Sequence, residues 1–294
     1  MSFFKKYQKK TDGAIRFYDV KSRRMKLMCV LIFLTCILVL VVALFPVLWL
    51  VLSSLKNIAE FRGGISILPQ DPDWKGLIRT WNDLKFTKYY INSAISVTGS
   101  VICAVLFNGL LAYALAILKP RGHKVVFALV MWSMLIPPTT SFVALFVNIN
   151  RIGLTDSFIP LWLSMGANAF WVVLFKQFFE RLPKDFLEAA RLDGCNSLQV
   201  FTRIILPLSK PIVIVVAIFA VTAAWSDFLL PFLLLSGGEK ETVMVRLFAF
   251  RTAIKVTDVD VLRGVLFSIV PPAIIFAIFQ KQIMDGVVAG GIKG

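Results

Sequence analysis

Long apolar runs separated by short basic or mixed stretches organise this chain. A helix crossing the roughly 30 Å hydrocarbon of a bilayer needs about 20 mostly apolar residues. Six segments meet that length: 27–52, 90–118, 125–150, 157–175, 212–235 and 264–280. Asp227 is the one formally charged residue inside them. Proline also falls inside the runs, as the pairs Pro137-Pro138 and Pro271-Pro272 and singly at Pro46, Pro160 and Pro231. Such prolines are tolerated where neighbouring helices or a water-lined cavity satisfy the freed carbonyls. The two pairs are expected to bend their helices around a cavity. The stretches 56–88 and 237–263 are longer and mixed in character, and predict short interfacial helices without an appended soluble domain. The predicted fold class is all-α integral membrane with six transmembrane helices. A basic tail (1–26) precedes one membrane domain (27–284), and a C-terminal tail (285–294) follows it.

Composition supports this reading and removes several others. Of 294 residues 58% are hydrophobic and the mean hydropathy is +0.79, against about half apolar for a soluble domain. The net charge of +15 would suit a nucleic-acid binder if it were spread over a polar surface. Here the cations alternate with uncharged runs, as loops at a lipid surface do, so no nucleic-acid partner is expected. With the N-terminus in the cytoplasm, the four inner segments hold 9, 3, 6 and 2 of the 32 Lys and Arg residues. The N-terminal tail is the strongest of them and places both termini inside. Four cysteines without a C-x-x-C pair, and one histidine, argue against a disulfide framework, a zinc site and a membrane enzyme.

One inner segment interrupts the apolar pattern: "EAARLDGCNSLQVFTRIILP", residues 188–207. Its first part favours helix as far as Gly194, which can take the left-handed conformation that ends one. Asn196 or Ser197 can cap a second helix through its side-chain oxygen. Pro207 and Pro211 suit the turn and the first positions of the next span. A helix–turn–helix beneath the membrane follows, joined to the fifth span. Ala189 and Ala190 would let another surface approach the backbone. Glu188 and Asp193 offer charge, and Leu187 and Leu192 offer apolar contact. The same residues would also make an ordinary amphipathic interfacial helix.

The spacing Glu188-Ala189-Ala190, three residues, Gly194, nine residues, Ile204, one residue, Leu206-Pro207 resembles the loop of permease subunits in bacterial ABC importers. "NSAISV" from Asn92, "AYALA" from Ala112, "MLIPP" from Met134, "GLTDSF" from Gly153, "LPKDFLEAARLDG" from Leu182, "WSDFLLP" from Trp225 and the final "GVVAGGIKG" are similar to segments of the carbohydrate branch, in particular the maltose-type second permease. The resemblance covers about residues 27–294. It implies the type I ABC importer permease fold, with a coupling helix in the loop 182–207. It also implies a heterodimer with a second permease, two ATPase subunits that bind ATP and Mg, an extracellular solute-binding protein, and a carbohydrate as cargo. The chain has no G-x-x-x-x-G-K-[ST] loop to cradle phosphate, so it is expected to bind no cofactor, to catalyse nothing and to receive its energy mechanically. The residues expected to meet the ATPase are Glu188, Ala189, Ala190, Asp193, Gly194, Leu206 and Pro207. The C-terminal tail resembles tails that reach the ATPase interface, although its glycines would also suit a flexible terminus.

Polar residues inside spans are candidates for the sugar path, because burying them unpaired is expensive. They are Asn108 in the second span, Asn168 in the fourth, and Trp225 and Asp227 in the fifth. Helix–helix hydrogen bonding for the asparagines and an interfacial anchor for Trp225 are the alternatives. Asp227 would equally suit the outer mouth or a contact with the binding protein. An ion-coupled secondary transporter needs more intramembrane charge than Asp227. Within the importer family, glycerol phosphate and polyamines are the competing cargoes. They favour basic or acidic cavity residues respectively, and a neutral sugar needs neither.

Overall fold

The computed structural model describes residues 23–291 except 65, 184, 254 and 255, and leaves out the side chains of 23, 191 and 283–291. Most of the basic tail 1–26 and the last three residues therefore lie outside the described residues. Every regular element among the described residues is helical. The chain divides into two compact units, Met1–Asp73 and Trp74–Gly294. The division falls inside the stretch 27–284 read from the sequence as one domain.

The first unit is built on α1 (Arg23–Ser54), which runs through Pro46. It is apolar on every face, and side chains such as Phe33, Leu38 and Val42 are exposed, as befits a helix surrounded by lipid. Its end is tied down by polar contacts. Buried Lys56 donates to the Ser66 carbonyl, the Asp73 N–H donates to the Leu55 carbonyl at 2.7 Å, and Asn57 caps α2 (Ile58–Gly63) by accepting from the Glu60 N–H at 2.8 Å.

The second unit opens with the short helix α3 (Trp74–Asp83). It is organised around α4 (Phe86–Tyr113), which continues through a π-turn at Ala114–Leu118. The buried face of α4 carries Ser93, Ser96, Ser100, Ala104, Asn108 and Ala112, three or four residues apart. Small side chains at that spacing let membrane helices approach closely. Gly99 lies on the same side. A Cβ there would fall 2.3 Å from the Trp162 ring, so only glycine fits.

Three of the remaining expected spans are broken. The stretch 125–150 becomes α5 (His123–Ser133), a 3-10 turn (Pro138–Ser141) and α6 (Phe142–Arg151), bent by 95° where Pro137-Pro138 cannot continue the ladder. The stretch 157–175 becomes α7 (Ile159–Met165) and α8 (Ala169–Phe179), bent by 46°. Next come α9 (Asp185–Leu192), α10 (Ser197–Val200) with a π-turn at Phe201–Ile205, α11 (Leu206–Leu208) and α12 (Lys210–Ser226). The fifth expected span, 212–235, thus needs correction: α12 stops at Ser226, and α13 (Leu229–Leu235) starts afresh. The short helix α14 (Val243–Arg251) leads to α15 (Asp258–Gly291).

The second proline pair lies inside one continuous helix. α15 runs unbroken through Pro271 and Pro272 and stays helical to Gly291, so the segment from residue 285 is no irregular tail up to that point. Adding residues to an existing helix needs no new nucleus, which offsets the glycines. By length and apolarity three helices can cross a membrane, and the count reaches six if each of three bent pairs is one span. One of those pairs is Ser197–Leu208 with Lys210–Ser226, bent by 85°.

The main core joins α4, α8, α9, the helix 197–208 and α12 through Tyr113, Trp171, Phe175, Phe179, Ala190, Phe201 and Val216. A second cluster gathers Leu84, Phe86 and Tyr89 with Val243 and Phe250. Beside it Asp260 and Arg263 are buried together, their side chains 3.0 Å apart.

Candidate functional site

The hairpin 185–208 is assembled by local chemistry. α9 ends in a Schellman turn: the Cys195 N–H donates to the Ala190 carbonyl at 3.0 Å, and Gly194 between them has φ +76°, which a Cβ would resist. Asn196 then forms a capping box, accepting from the Gln199 N–H at 2.9 Å while Gln199 accepts from the Asn196 N–H at 2.8 Å. Pro207 has no N–H, and in a regular helix its ring would meet the Arg203 carbonyl. The π-turn just before it, closed by the Leu206 N–H on the Phe201 carbonyl, widens the helix there. Pro211 lies in the first turn of α12. Ser209 is fully buried at the junction, and its N–H donates to the Ile205 carbonyl at 2.9 Å.

The faces of α9 are clearly divided. Ala190 is 3% exposed and packs in the main core with Leu187 and Cys195. Of the two alanines expected to admit a partner, only Ala189 is open, because Ala190 brings α9 against its own bundle. Glu188, Asp193, Gly194 and Pro207 are exposed and Leu206 is partly buried. Leu192 is 89% exposed, and Phe186 and Leu198 are also open. The hairpin therefore presents acidic and apolar side chains on a helix whose other side is fixed.

Asn168, Trp225 and Asp227 stand at helix ends, and Asn108 reaches one such break from within α4. Asn108 is fully buried. Its amide donates to the Ala104 carbonyl at 2.8 Å and the Met165 carbonyl at 3.0 Å, and accepts from the Asn168 N–H at 2.9 Å. Asn168 caps α8 by accepting from the Trp171 N–H at 3.1 Å. Together they close the bend between α7 and α8. Half-buried Trp225, in the last turn of α12, donates to the Ser268 carbonyl at 3.0 Å. The Asp227 carboxylate lies against the backbone N–H groups of Leu230 and Leu229 at the start of α13. Tyr90, which the pattern of polar residues did not single out, donates to the Phe267 carbonyl. Among the described residues no three His, Cys, Asp or Glu side chains gather into a metal-binding group.

The sequence pattern of one protein family, described as "Binding-protein-dependent transport system inner membrane component", matches residues 106–285. The chain belongs to that family. The matched region runs from the last third of α4 to near the end of α15 and includes the whole hairpin. Relatives of this inner membrane component include the galactooligosaccharides transport system permease protein GanQ of Bacillus subtilis (strain 168), 31% identical over 94% of this chain and 99% of the relative. The arabinooligosaccharides transport system permease protein AraQ of the same organism is 30% identical over 85% and 91%. Among solved structures, a chain of a bacterial ABC transporter involved in the import of the acidic polysaccharide alginate has the same fold, with a TM-score of 0.80 at 24% identity. That match covers 88% of this chain and 98% of the other. This inner membrane component is a multi-pass membrane protein.

Proposed function

We propose that the chain is the permease subunit of an ATP-driven importer that moves a saccharide, with the hairpin 185–208 receiving the stroke of separate ATPase subunits. The observation that carries this reading is the division of α9: Glu188, Ala189 and Leu192 face outward, while Ala190 and Leu187 are anchored in the bundle core. An exposed acidic and apolar helix, held from behind and connected to α12 through the helix 197–208, is suited to pass a push into the membrane. Its exposed leucine and phenylalanine suit an apolar cleft on a partner. ATP and Mg would sit on that partner, outside this chain. Membership in a binding-protein-dependent family supports an extracellular solute-binding protein and a second permease as further partners. The basic N-terminal tail supports an orientation with both termini in the cytoplasm.

A saccharide cargo is supported by relatives named for arabinooligosaccharides, galactooligosaccharides and melibiose, raffinose and stachyose. Asn168, Trp225, Asn108 and Asp227 remain the proposed polar groups near the path, with their structural hydrogen bonds setting how much of each can reach a sugar. Ion coupling is disfavoured, since Asp227 is the one formally charged residue within the six apolar runs.

The test is Glu188→Lys in the complete complex reconstituted in proteoliposomes. Reversing a charge at a docking contact is expected to reduce uptake about tenfold, with a matching loss of saccharide-stimulated ATP hydrolysis. Gly194→Pro should act in the same direction, because proline cannot adopt φ +76°. Wild-type uptake and hydrolysis in both variants would rule out the hairpin as the coupling element.

A further inference from the structure

Pro271 and Pro272 lack the N–H groups that would bond the carbonyls four residues earlier, those of Phe267 and Ser268. Inside a membrane such carbonyls need another donor, and each finds one on a different helix. Tyr90, near the start of α4, donates its hydroxyl to Phe267. Trp225, at the end of α12, donates its indole N–H to Ser268 at 3.0 Å. The two donor rings meet edge to face, 5.5 Å apart, and Trp81 and Phe86 pack against Tyr90 and Phe267. The match is one donor for each missing N–H, in register. It also accounts for how α15 passes a proline pair unbroken while Pro137-Pro138 ends its helix.

We infer that Tyr90 and Trp225 are positioning residues forming a two-point clamp, which stands in for the N–H groups of Pro271 and Pro272 and so carries the movement of α12 into α15. A helix that satisfies its own ladder can slide against its neighbours at little cost. α15 cannot do so at this level, because leaving α4 or α12 strands a carbonyl. α12 spans 17 residues, about 25 Å, with the hairpin at one end and Trp225 at the other. The transmission half of this inference rests on the hairpin reading above.

The test is a pair of double-mutant cycles in the complete reconstituted complex, reading melting temperature and uptake per ATP hydrolysed. Tyr90→Phe keeps the ring and removes only the donor. It is expected to lower the melting temperature by about 2–4 °C and uptake per ATP roughly threefold. Pro271→Ala restores the missing N–H and is expected to recover both losses, whereas Pro272→Ala is not. Trp225→Phe should show the converse pairing, recovered by Pro272→Ala alone. Effects that simply add, or rescue by either proline without preference, would overturn the clamp. Wild-type uptake per ATP in both Tyr90→Phe and Trp225→Phe would overturn the transmission, while the result at Glu188 would still decide the docking reading on its own.

Discussion

Arg263→Leu is expected to lower the stability of the second unit by about 3–5 kcal/mol, the usual consequence of stranding one member of a buried ion pair. Arg263 is 2% exposed, with its guanidinium 3.0 Å from the Asp260 carboxylate. That carboxylate is also buried, and accepts from the Thr80 hydroxyl at 3.1 Å and the Thr257 hydroxyl at 2.7 Å. Without Arg263 the nearby cation would be Arg79, 3.6 Å away on a largely exposed side chain and therefore well screened by solvent. Thr80 belongs to α3 and Asp260 to α15, so the damage would fall on the junction of those helices. A fall in melting temperature on the order of 10 °C for the purified complex would match this size. Removing both charges, as Arg263→Leu with Asp260→Asn, should recover part of the loss, since no uncompensated charge then remains. A double variant no more stable than Arg263→Leu alone would show that packing of the arginine stem, and not its charge, is what the site needs.

Asn108→Leu keeps the branched outline and heavy-atom count of the side chain and removes three hydrogen bonds from a fully buried position. It leaves the Met165 carbonyl and the Asn168 N–H unpaired in an apolar setting, with an expected cost of about 3 kcal/mol. The loss should be local: the bend between α7 and α8 would loosen, seen as faster amide exchange or proteolysis near Gly166 and Ala167 along with a lower melting temperature. The measurement separates two roles for this residue. If Asn108 serves as a brace, stability and uptake fall together. If melting is unchanged and uptake alone collapses, its amide belongs to the cargo path and the brace is dispensable.

What could be read from the chain, and what could not, follows the distance over which each group finds its partner. Gly194, Asn196, Pro207 and Pro211 act on neighbours within five residues, so the hairpin's turn, cap and junction were visible in twenty letters of sequence. Membrane crossing was visible too, because apolar length is itself the physical requirement. The polar span residues stood out, yet their tasks did not. Asn108 meets Met165 and Asn168, Trp225 meets Ser268, and Tyr90 meets Phe267, 177 positions away. Tyrosine is common near membrane surfaces and drew no notice, although the two prolines already implied that two donors had to exist somewhere. The inward turn of Ala190 was equally hidden, since one eight-residue helix does not reveal which side has a bundle behind it. Breaks near Asp227 and Gly166 lacked a proline at the breaking point, and depended on caps that only tertiary contact supplies.

The π-turn at Phe201–Ile205 has a consequence for how the hairpin is aimed. A wide turn holds one residue more than a regular one, and each residue of an α-helix advances the azimuth by about 100°. Deleting a single residue from 201–205 would take away the room that Pro207 uses, and it would swing everything upstream by more than a quarter of a revolution. Glu188 and Leu192 would then point along the bundle wall or away from their present direction, with no change in their own chemistry. The irregular turn thus acts as an indexing step, and insertions or deletions there should be tolerated far less than substitutions.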